Sequence, residues 1–339
     1  MGAATVVVLN WNGEAYIRDC LRSVLAQTYA TYRVIVVDNA STDGSREIIR
    51  DEFPEAALVA LPENLHFARG TNAGMEVALR DPECTYVVTL NNDTRVDPEW
   101  LAELVRAANP ARIGTVASKL VFMDRPGVIN SAGILIAPDG NGVDRGWLQK
   151  DEGQFDDAVD VFGASAGAAL YRRGALEAVG LFDGDFVAYF EDLDLAWRLR
   201  LAGWEGRFAP RSVVHHKYSA SVGFKSAWKT YQGERNRIWN LVMNYPWAYV
   251  AGGESWNAVR LLEALARRGL GRRAAGAEAG PGFRELVDAR VRGRLDAYAG
   301  LRGALAKRRS RAGYRKVGAR SVGQWLRKYG AAIRDMPRD

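Results

Sequence analysis

The chain has 339 residues, of which 48% are hydrophobic and 25% charged, so it is long enough for about two globular domains and too apolar to be disordered. Its two cysteines, Cys20 and Cys84, exclude a disulfide framework and a four-cysteine zinc site. No basic stretch precedes a long apolar run at the start, and no run approaches about 18 apolar residues. These features predict a cytoplasmic protein with neither a secretory signal nor a membrane-spanning helix.

The net charge of +6 is distributed unevenly along the chain. Residues 1–224 carry 21 Lys and Arg against 31 Asp and Glu, whereas residues 225–339 carry 25 against 9. An acidic region of net charge −10 is therefore joined to a basic region of +16. A basic region attracts an anionic partner, which can be a nucleic acid, a membrane surface or the acidic part of the same chain.

The first hundred residues alternate between patterns typical of strands and of helices. Runs rich in β-branched residues predict strands at Thr5–Asn10, Arg33–Asp38, Leu58–Leu61 and Tyr86–Leu90. Apolar periodicity predicts helices at Ala15–Leu25, at Asp43–Phe53 with Ser41 or Thr42 as its cap, at Asn72–Leu79, and from Pro98 onward. Repeated strand–helix units predict an α/β fold in which helices cover both faces of a mostly parallel sheet.

The rest of the chain has a different pattern. Residues 113–169 are strand-like and rich in glycine, and residues 191–203 and 225–244 predict two helices. The segment 269–282 combines glycines with a proline and few residues that could pack, so we expect a linker or loop there. Residues 283–335 are rich in arginine and predict a helical C-terminal region.

Polar clusters follow three of the predicted strands. They are Asn10–Asn12, Asp38–Asp43 and Asn91–Asp93. Each cluster alone could simply cap a helix or form a turn, but ligands of a doubly wound sheet bind where the carboxyl ends of the strands meet. Neither a Gly-x-Gly-x-x-Gly nor a Gly-Lys-Ser/Thr phosphate loop is present, which argues against a dinucleotide oxidoreductase and a P-loop NTPase. An acidic pocket would need Mg²⁺ or Mn²⁺ to hold phosphates.

Two further groups have the residue types of a catalytic site. The segment Phe190–Asp194 (FEDLD) places three carboxylates at a helix start between apolar residues, which would raise the pKa of a carboxylate toward that of a general base. A solvated acidic first turn is the alternative. His215 and His216 are adjacent in a strand, so their side chains point to opposite faces and only one enters a given site.

Seven segments occur in a characteristic order: VVVLNWNG at 6–13, IVVDNASTDGS at 35–45, NLHFARGTNAG at 64–74, TLNNDTRVDPEWL at 89–101, GASAGAALYRR at 163–173, VGLFDGDFVAYFEDLDLAWRLRLAGW at 179–204 and VVHHKYSAS at 213–221. Over about residues 4–245 the chain resembles the inverting nucleotide-sugar glycosyltransferases of family 2, especially their rhamnosyltransferase-like branch. That resemblance implies a GT-A fold, in which a Rossmann-like nucleotide half is fused to an acceptor half.

The resemblance also implies how the chain is organised. Residues 1–224 would form the catalytic domain, divided into a nucleotide-sugar half at 1–110 and an acceptor half at 111–224. Residues 225–339 would form a basic helical extension.

The resemblance assigns roles to particular residues. Donor binding would fall to Asn10, Asn12, Asp38, Asn72, Gly74, Asn91 and Asn92, with Asp38 on the nucleobase. Asp93 would bind the metal together with His216, and Asp192 would be the catalytic base with Glu191 beside it. The sequence departs from the family pattern at three places: NND has a single carboxylate, His66 stands where a glycine is usual, and Arg69 stands where a small residue is common. Arg69 could touch the donor phosphates, although we expect a solvated loop residue.

The implied reaction transfers a sugar from a nucleotide-diphosphate donor, such as dTDP-rhamnose or a UDP-sugar, to a hydroxyl of a glycan or a lipid-linked acceptor. Its product would belong to bacterial surface polysaccharide or cell wall. A non-catalytic sugar- or nucleotide-binding module and a nucleotidyltransferase of the same fold are the alternatives.

The basic C-terminal region remains open to three interpretations. It could contact the inner face of the cell membrane, where lipid-linked acceptors reside, since it combines arginines with tryptophans. It could instead be an appendage that packs on the catalytic domain or forms a homodimer. No nucleic-acid-binding motif is evident, so no nucleic acid is expected as a partner.

Overall fold

The computed structural model describes residues 2–218, 226–270 and 282–332, with side chains for all of these except 260–270. The twelve strands of this part of the chain are β1 (Ala3–Asn10), β2 (Tyr32–Asp38), β3 (Ala57–Ala60), β4 (Cys84–Asn91), β5 (Thr94–Val96), β6 (Ile113–Phe122), β7 (Ile129–Ser131), β8 (Ile134–Ile136), β9 (Gly142–Asp144), β10 (Asp160–Val161), β11 (Ala168–Arg172) and β12 (Glu205–His216).

The helices alternate with the strands at first and then follow one another. They are α1 (Ile17–Leu25), α2 (Ser45–Glu52), α3 (His66–Arg80), α4 (Trp100–Ala107), α5 (Arg173–Val179), α6 (Glu191–Leu201), α7 (Ala227–Asn244), α8 (Trp247–Leu270), α9 (Phe283–Ala299), α10 (Leu301–Ser310) and α11 (Ala319–Lys328).

A single ten-stranded sheet forms the centre of the molecule. Eight of its strands follow the order β10-β12-β6-β11-β4-β1-β2-β3, while β5 pairs with β12 and β7 pairs with β6. The pairs β1–β2, β1–β4, β2–β3 and β6–β12 are parallel, whereas β11 is antiparallel to both β4 and β6. All the long strands except β11 therefore point the same way, which confirms the predicted mostly parallel sheet. Strands β8 and β9 form a separate hairpin.

Helices cover both faces of this sheet because β1, β2 and β4 are apolar on both sides. Along β1, Val6 and Val8 pack toward the core under α1 and α4, whereas Val7 faces the core under α3. All three side chains are completely buried, as a strand covered on both faces requires. Gly74 of α3 lies against this second core, since a Cβ there would come within 2.4 Å of Val7 Cγ1.

Two predicted helices begin elsewhere than expected. Helix α3 starts at His66, not Asn72, and His66 has a φ of 59° at that start. Helix α2 starts at Ser45 after Gly44, with no side-chain cap, so neither Ser41 nor Thr42 caps it. Ser41 Oγ instead accepts a hydrogen bond from Asn12 N at 3.0 Å, and this contact between loops competes with capping.

The C-terminal helices pack on the rest of the molecule. Helix α9 lies along α7, and Val322 of α11 shares a core with Phe162, Trp197 and Tyr245. The predicted helices at 191–203, 225–244 and 283–335 are present as α6, α7 and α9–α11, while nearly all of the predicted loop at 269–282 lies outside the described residues. In the part of the chain that the structure describes, no helix is both long and apolar enough to cross a membrane.

Candidate active site

Strands β1, β2 and β4 bring the polar clusters together as predicted. Asn10 pairs in register with Asp38, and Leu9 with Asn91. Asn92 Nδ2 donates to Asn10 Oδ1 at 2.8 Å, and Asn10 Nδ2 donates to Asp38 Oδ1 at 3.1 Å and to Ser45 Oγ at 2.9 Å. This buried network satisfies the polar groups at the strand ends and holds the three loops together.

Asp38 also has a partner that sequence analysis missed. Its carboxylate is completely buried, and Oδ2 accepts hydrogen bonds from Arg46 Nε at 2.7 Å and Arg46 Nη2 at 2.6 Å. Arg46 is 37% exposed at its side chain, so it covers the carboxylate from the solvent side. The role of Asp38 toward a nucleobase stays a prediction.

Asn12 joins the first two loops. Its Oδ1 accepts a hydrogen bond from Thr42 N at 2.8 Å, and its backbone has a φ of 48°. Asn tolerates this left-handed region better than most residues. The side chain thus orders the loop edge at which the resemblance places the nucleotide.

Asn72 and Gly74 lie on α3, outside the hydrogen-bond network at the strand ends. Asn72 Nδ2 donates to the Phe182 carbonyl at 2.8 Å, and Phe182 N donates to Asn72 Oδ1 at 3.1 Å. Both polar groups of this amide therefore fasten α3 to the loop before α6, and Gly74 permits close packing of α3 on β1 and β2. Their predicted donor contacts stay predictions.

Asp93 and His216 meet across the β4–β5 turn and the end of β12. His216 Nε2 lies 3.2 Å from Asp93 Oδ1 and 3.4 Å from Asn91 Nδ2, while its Nδ1 lies 2.7 Å from Asn130 Oδ1. The Asn130 oxygen can only accept, so Nδ1 carries a proton and Nε2 is directed at Asp93. Sequence analysis missed Asn130, which contacts His216 and orients its ring.

A divalent cation fits this pair. A carboxylate and an imidazole nitrogen oriented by a second hydrogen bond are suitable ligands for Mn²⁺, whereas Mg²⁺ prefers oxygen. Among the residues that the structure describes, no group of three or more His, Cys, Asp or Glu converges as a metal site. Donor phosphates would have to complete the coordination, as is usual for Mg²⁺.

His215 lies on the opposite face of β12, as expected from its position next to His216. Its Nε2 lies 3.1 Å from Asp97 Oδ1. His66 is stacked on Trp228 with ring centroids 6.2 Å apart, and Arg69 pairs with Asp185 at 3.5 Å while 61% of its side chain is exposed. Arg69 is therefore solvated, as expected, but it lies in helix α3 and not in a loop.

Glu191 and Asp192 begin α6 in different surroundings. Asp192 Oδ2 accepts a hydrogen bond from Ala166 N at 3.1 Å, and Oδ1 accepts one from Leu193 N at 2.7 Å. Glu191 is 5% exposed, and its Oε2 has no hydrogen-bond partner among the described residues. Burial raises the pKa of both carboxyls, and the Asp192 charge raises that of Glu191 further, well above its usual value.

The backbone that enters α6 is strained. Val187, Tyr189 and Phe190 have φ values of 66°, 66° and 71°, a region that residues with bulky side chains rarely adopt. Asn236 Nδ2 donates to the carbonyls of residues 186, 188 and 189 at 2.8, 3.0 and 2.7 Å. One amide of α7 thus holds the strained segment in place.

Asp194, the third carboxylate of the FEDLD segment, is a structural anchor. Its Oδ1 lies 2.5 Å from Arg311 Nη1 and accepts from Asn244 Nδ2 at 2.9 Å, and its Oδ2 accepts from Arg198 Nε at 2.8 Å. Burial alone would raise the pKa of Asp194, but the Arg311 and Arg198 guanidiniums outweigh it and lower the pKa to about 2.

Asp144 of β9 is the site residue that sequence analysis missed most completely. Burial and the Asp192 charge raise its pKa to about 6, while a hydrogen bond with Ser131 and the charges of His216 and Lys229 oppose that shift. Asp144 therefore lies within electrostatic reach of both the predicted base and the predicted metal ligand. A single aspartate in a short glycine-flanked strand offered no pattern that could have identified it.

The family model "Glycosyl transferase family 2" matches residues 5–180, which include every strand from β1 to β11 except the first residues of β1.

This chain belongs to glycosyl transferase family 2.

The family 2 chain is similar to curated proteins of bacterial polysaccharide synthesis. It is 27% identical over 213 residues to the "O-antigen biosynthesis protein RfbC" of Myxococcus xanthus, covering 60% of this chain and 16% of that protein. It is 27% identical over 233 residues to the "Poly-beta-1,6-N-acetyl-D-glucosamine synthase" of Staphylococcus epidermidis, covering 65% and 50%. The chain thus spans half or less of the length of these relatives.

Solved structures with a similar fold are glycosyltransferases. "GalNAc-T7 with UDP, GalNAc and Mn2+" superposes with a TM-score of 0.57 at 14% identity, over 72% of this chain and 48% of that one. "Mannosyltransferase PcManGT from Pyrobaculum calidifontis in complex with GDP-Man and Mn2+" has a TM-score of 0.50 at 19% identity, over 98% and 84%. The predicted GT-A fold of this family 2 chain is confirmed.

Proposed function

We propose that this protein is an inverting glycosyltransferase that moves a sugar from a nucleotide-diphosphate donor to a hydroxyl of a glycan or lipid-linked acceptor. The observation that carries the proposal is the arrangement of Asp192, its pKa raised by burial, with the Asp93–His216 pair at the same edge of the sheet. A binding module would need no such base. The products we propose are bacterial surface polysaccharide or cell-wall glycan.

Asp192 is the proposed general base. A base must be ionised before reaction, and the two backbone N–H groups that bind Asp192 stabilise its charged form. Glu191 lacks such donors for its Oε2, and burial beside the Asp192 charge raises its pKa well above the usual value, which favours its protonated form. Neighbouring carboxyls whose surroundings separate their pKa values in this way are suited to acid and base roles.

In the proposed reaction, the acceptor hydroxyl transfers its proton to Asp192 as its oxygen attacks the anomeric carbon from the face opposite the departing diphosphate. This single displacement inverts the configuration. Asp93 and His216 would hold Mg²⁺ or Mn²⁺, which when bound supplies positive charge against the leaving diphosphate. Asn130 keeps the His216 ring oriented for that role.

Donor identity is a separate part of the proposal. The donor that we propose is dTDP-rhamnose or a UDP-sugar, because the sequence resembles the rhamnosyltransferase-like branch. The related proteins are named for N-acetylglucosamine, GalNAc and mannose chemistry, so they support a nucleotide sugar without favouring rhamnose. Asn10, Asn12, Asp38, Asn91 and Asn92 are the proposed donor residues at the strand ends, with Asn72 and Gly74 beneath them.

We also propose peripheral contact with the inner face of the cell membrane. Helix α9 carries an exposed apolar stripe formed by Phe283, Val287, Val291, Leu295 and Tyr298. Arg284 and Arg292 are exposed on the same helix, and apolar side chains flanked by arginines favour an anionic lipid surface. The alternative is that a second copy of this chain covers the same stripe in a homodimer.

A panel of sugar nucleotides tests the proposed activity. We expect one donor to raise the thermal midpoint more with Mn²⁺ than without it, because a ligand that binds only the native state stabilises by mass action. The same donor should be hydrolysed slowly to nucleoside diphosphate without any acceptor. Binding without hydrolysis or transfer for every donor would instead identify a binding module.

A further inference from the structure

A group of half-buried side chains beside Asp192 has no part in the mechanism above. We call it the Lys229 cluster, and it consists of Asp144, Trp147, Tyr189, Tyr218 and Lys229. Tyr189 immediately precedes the FEDLD segment, and Tyr218 follows the predicted metal ligand His216 by two residues. The cluster therefore adjoins both halves of the proposed catalytic centre.

Lys229 is at the centre of this cluster. Its Nζ donates to Tyr218 Oη at 2.9 Å and lies 4.9 Å and 5.3 Å from the ring centroids of Tyr218 and Tyr189. The charge of Asp144 also acts on the ammonium. Two aromatic faces and one hydroxyl position the ammonium and leave it free to donate further hydrogen bonds.

Aromatic rings form one wall of the same cluster. Trp147 and Tyr218 are 4.8 Å apart between ring centroids, and Phe122 lies 5.2 Å from Trp147 and 5.7 Å from Tyr218. Trp147 and Tyr218 are both partly exposed. Partly exposed aromatic side chains next to charged hydrogen-bonding groups are the composition of a site that binds an amphipathic ligand, such as a sugar ring.

Asp144 and Trp147 are carried by one turn. Trp147 N donates to the Asp144 carbonyl at 3.3 Å, so the aromatic face and the carboxylate keep a fixed relation. The pKa of Asp144 responds to the charges of Asp192, His216 and Lys229. The Tyr218 ring, which contacts Trp147, also lies 5.7 Å from the His216 ring between centroids, so the turn lies next to the proposed catalytic centre.

We propose that the Lys229 cluster is the acceptor subsite: a saccharide ring lies on Trp147 and Tyr218, and Lys229 and Asp144 bind its hydroxyls. The inference rests on the proposed function, because it assigns the acceptor to the same site. Charged groups make the stronger hydrogen bonds to hydroxyls, and aromatic faces take the apolar face of the ring.

The position of the cluster argues for the acceptor rather than the donor sugar. Asp144 ends β9 of the β8–β9 hairpin, which is not part of the central sheet, and Trp147 lies in the turn that follows it. The predicted nucleotide residues instead follow β1, β2 and β4. A hydroxyl bound by Asp144 or Lys229 on the Asp192 side would be presented to the base that must deprotonate it.

Two measurements on the full chain test the subsite. The first uses the donor that wild type hydrolyses and a panel of p-nitrophenyl glucoside, galactoside, mannoside and N-acetylglucosaminide, and compares transfer with hydrolysis. We expect Trp147→Ala and Lys229→Met to lower the ratio of transfer to hydrolysis at least tenfold and to raise the acceptor KM. Lys229→Arg should restore part of that ratio, since it keeps the cation.

The second measurement is binding of the same glycosides, detected by saturation-transfer NMR with Mn²⁺ and the nucleoside diphosphate of that donor. Wild type should show saturation transfer to the sugar protons, and the two loss variants should not. Trp247→Ala is the matched control, because Trp247 is 58% exposed on α8, and it should behave as wild type.

The outcomes separate the subsite from the activity itself. No donor hydrolysis by wild type would contradict the proposed glycosyltransferase. Hydrolysis by wild type, with an unchanged ratio and unchanged glycoside binding in the variants, would overturn the acceptor subsite alone. If the variants raise the donor KM and leave the acceptor KM unchanged, the cluster binds the donor sugar instead. If wild type binds none of the glycosides, the acceptor subsite is also overturned.

Discussion

Asp192 and Glu191 are adjacent in sequence, yet their hydrogen bonds give the two carboxyls different tasks. Asp192 accepts two backbone N–H groups, whereas Glu191 Oε2 accepts none among the described residues. We therefore expect Asp192→Asn to lower kcat by about 10²–10⁴-fold or more, because an amide cannot take the proton. Steady-state transfer assays with thermal-shift measurement of donor binding would check this, and a fully active variant would contradict the assignment.

Glu191→Gln, compared with Asp192→Asn, tests whether the two carboxyls have different roles. Glutamine imitates a protonated glutamate that transfers no proton, so we expect kcat to stay within about tenfold of wild type. The pH profile supplies a second measurement. Because burial raises the pKa of Asp192, kcat/KM of wild type should fall with decreasing pH at values above the usual aspartate range. An acid limb at or below that range would contradict the buried base.

Asp93 and His216 govern the dependence on metal. We expect EDTA to stop turnover and Mn²⁺ or Mg²⁺ to restore it, because the donor phosphates need cationic compensation beside Asp93. Asp93→Asn should raise the Mn²⁺ concentration needed for half-maximal activity by at least tenfold. Asp97→Asn, on the opposite face of β12 beside His215, is the control and should leave that concentration unchanged. Full activity in EDTA would rule out Asp93 as a ligand.

At the scale of elements, α6 is fastened to the C-terminal region through Asp194. Arg311 follows α10, is 8% exposed, and contacts Asp194, Asp183 and Asn244. Breaking a buried ion pair costs about 3–5 kcal/mol. We expect Arg311→Met to lower the free energy of unfolding by about 3 kcal/mol, the lower end of that range, because Arg198 still pairs with Asp194. Chemical denaturation would measure it, with the exposed Arg309→Met as the control.

The charge of Asp194 also sets how the fold responds to acid. Its pKa is lowered to about 2, so its ion pairs stabilise the native state above the ordinary aspartate pKa of about 3.9 and are lost as pH falls from about 4 to 2. We expect the free energy of unfolding of wild type to fall over that interval. Asp194→Asn should be less stable at pH 7 and show a smaller fall. An equal fall in both proteins would contradict this assignment.

Local patterns predicted the elements that depend on local sequence. The strands β1, β2 and β4 appear as apolar runs, and their ends carry Asn10, Asp38 and Asn91 as expected. The start of α3 was missed because His66 adopts a positive φ that no pattern announces. Asp144 and Asn130 were missed for a related reason: each reaches the site through tertiary contacts between segments that are distant in the chain.

At the scale of the molecule, the uneven charge has a structural explanation. Lys307 pairs with Asp183 and Asp185, and Lys328 pairs with Asp160. Basic groups of the C-terminal helices thus neutralise acidic groups of the remaining fold, which supports the packing interpretation. The stripe on α9 is an apolar surface of this region that these ion pairs leave exposed.

The stripe provides a test of membrane contact that leaves these ion pairs intact. We expect the full chain to sediment with vesicles containing anionic lipid at low salt and less at high salt, since the attraction is screened beyond about 8 Å at physiological ionic strength. Val291→Gln with Leu295→Gln should abolish sedimentation, because both side chains are exposed on α9. No vesicle binding by the wild-type chain, with dimers in ultracentrifugation that the variant lacks, would assign the stripe to a homodimer.

The ion pair between Arg311 and Asp194 also determines when the structure can be completed during synthesis of the chain. The two residues are 117 positions apart, so at about 5–20 residues per second the ribosome makes them about 6–23 s apart. The central sheet is complete by His216 and can form well before Arg311 emerges. During that interval the helix with the proposed base lacks its C-terminal anchor, and of the partners that the structure describes Asp194 has Arg198 and Asn244. Catalytic competence would therefore arrive late in translation, after most of the chain has already folded.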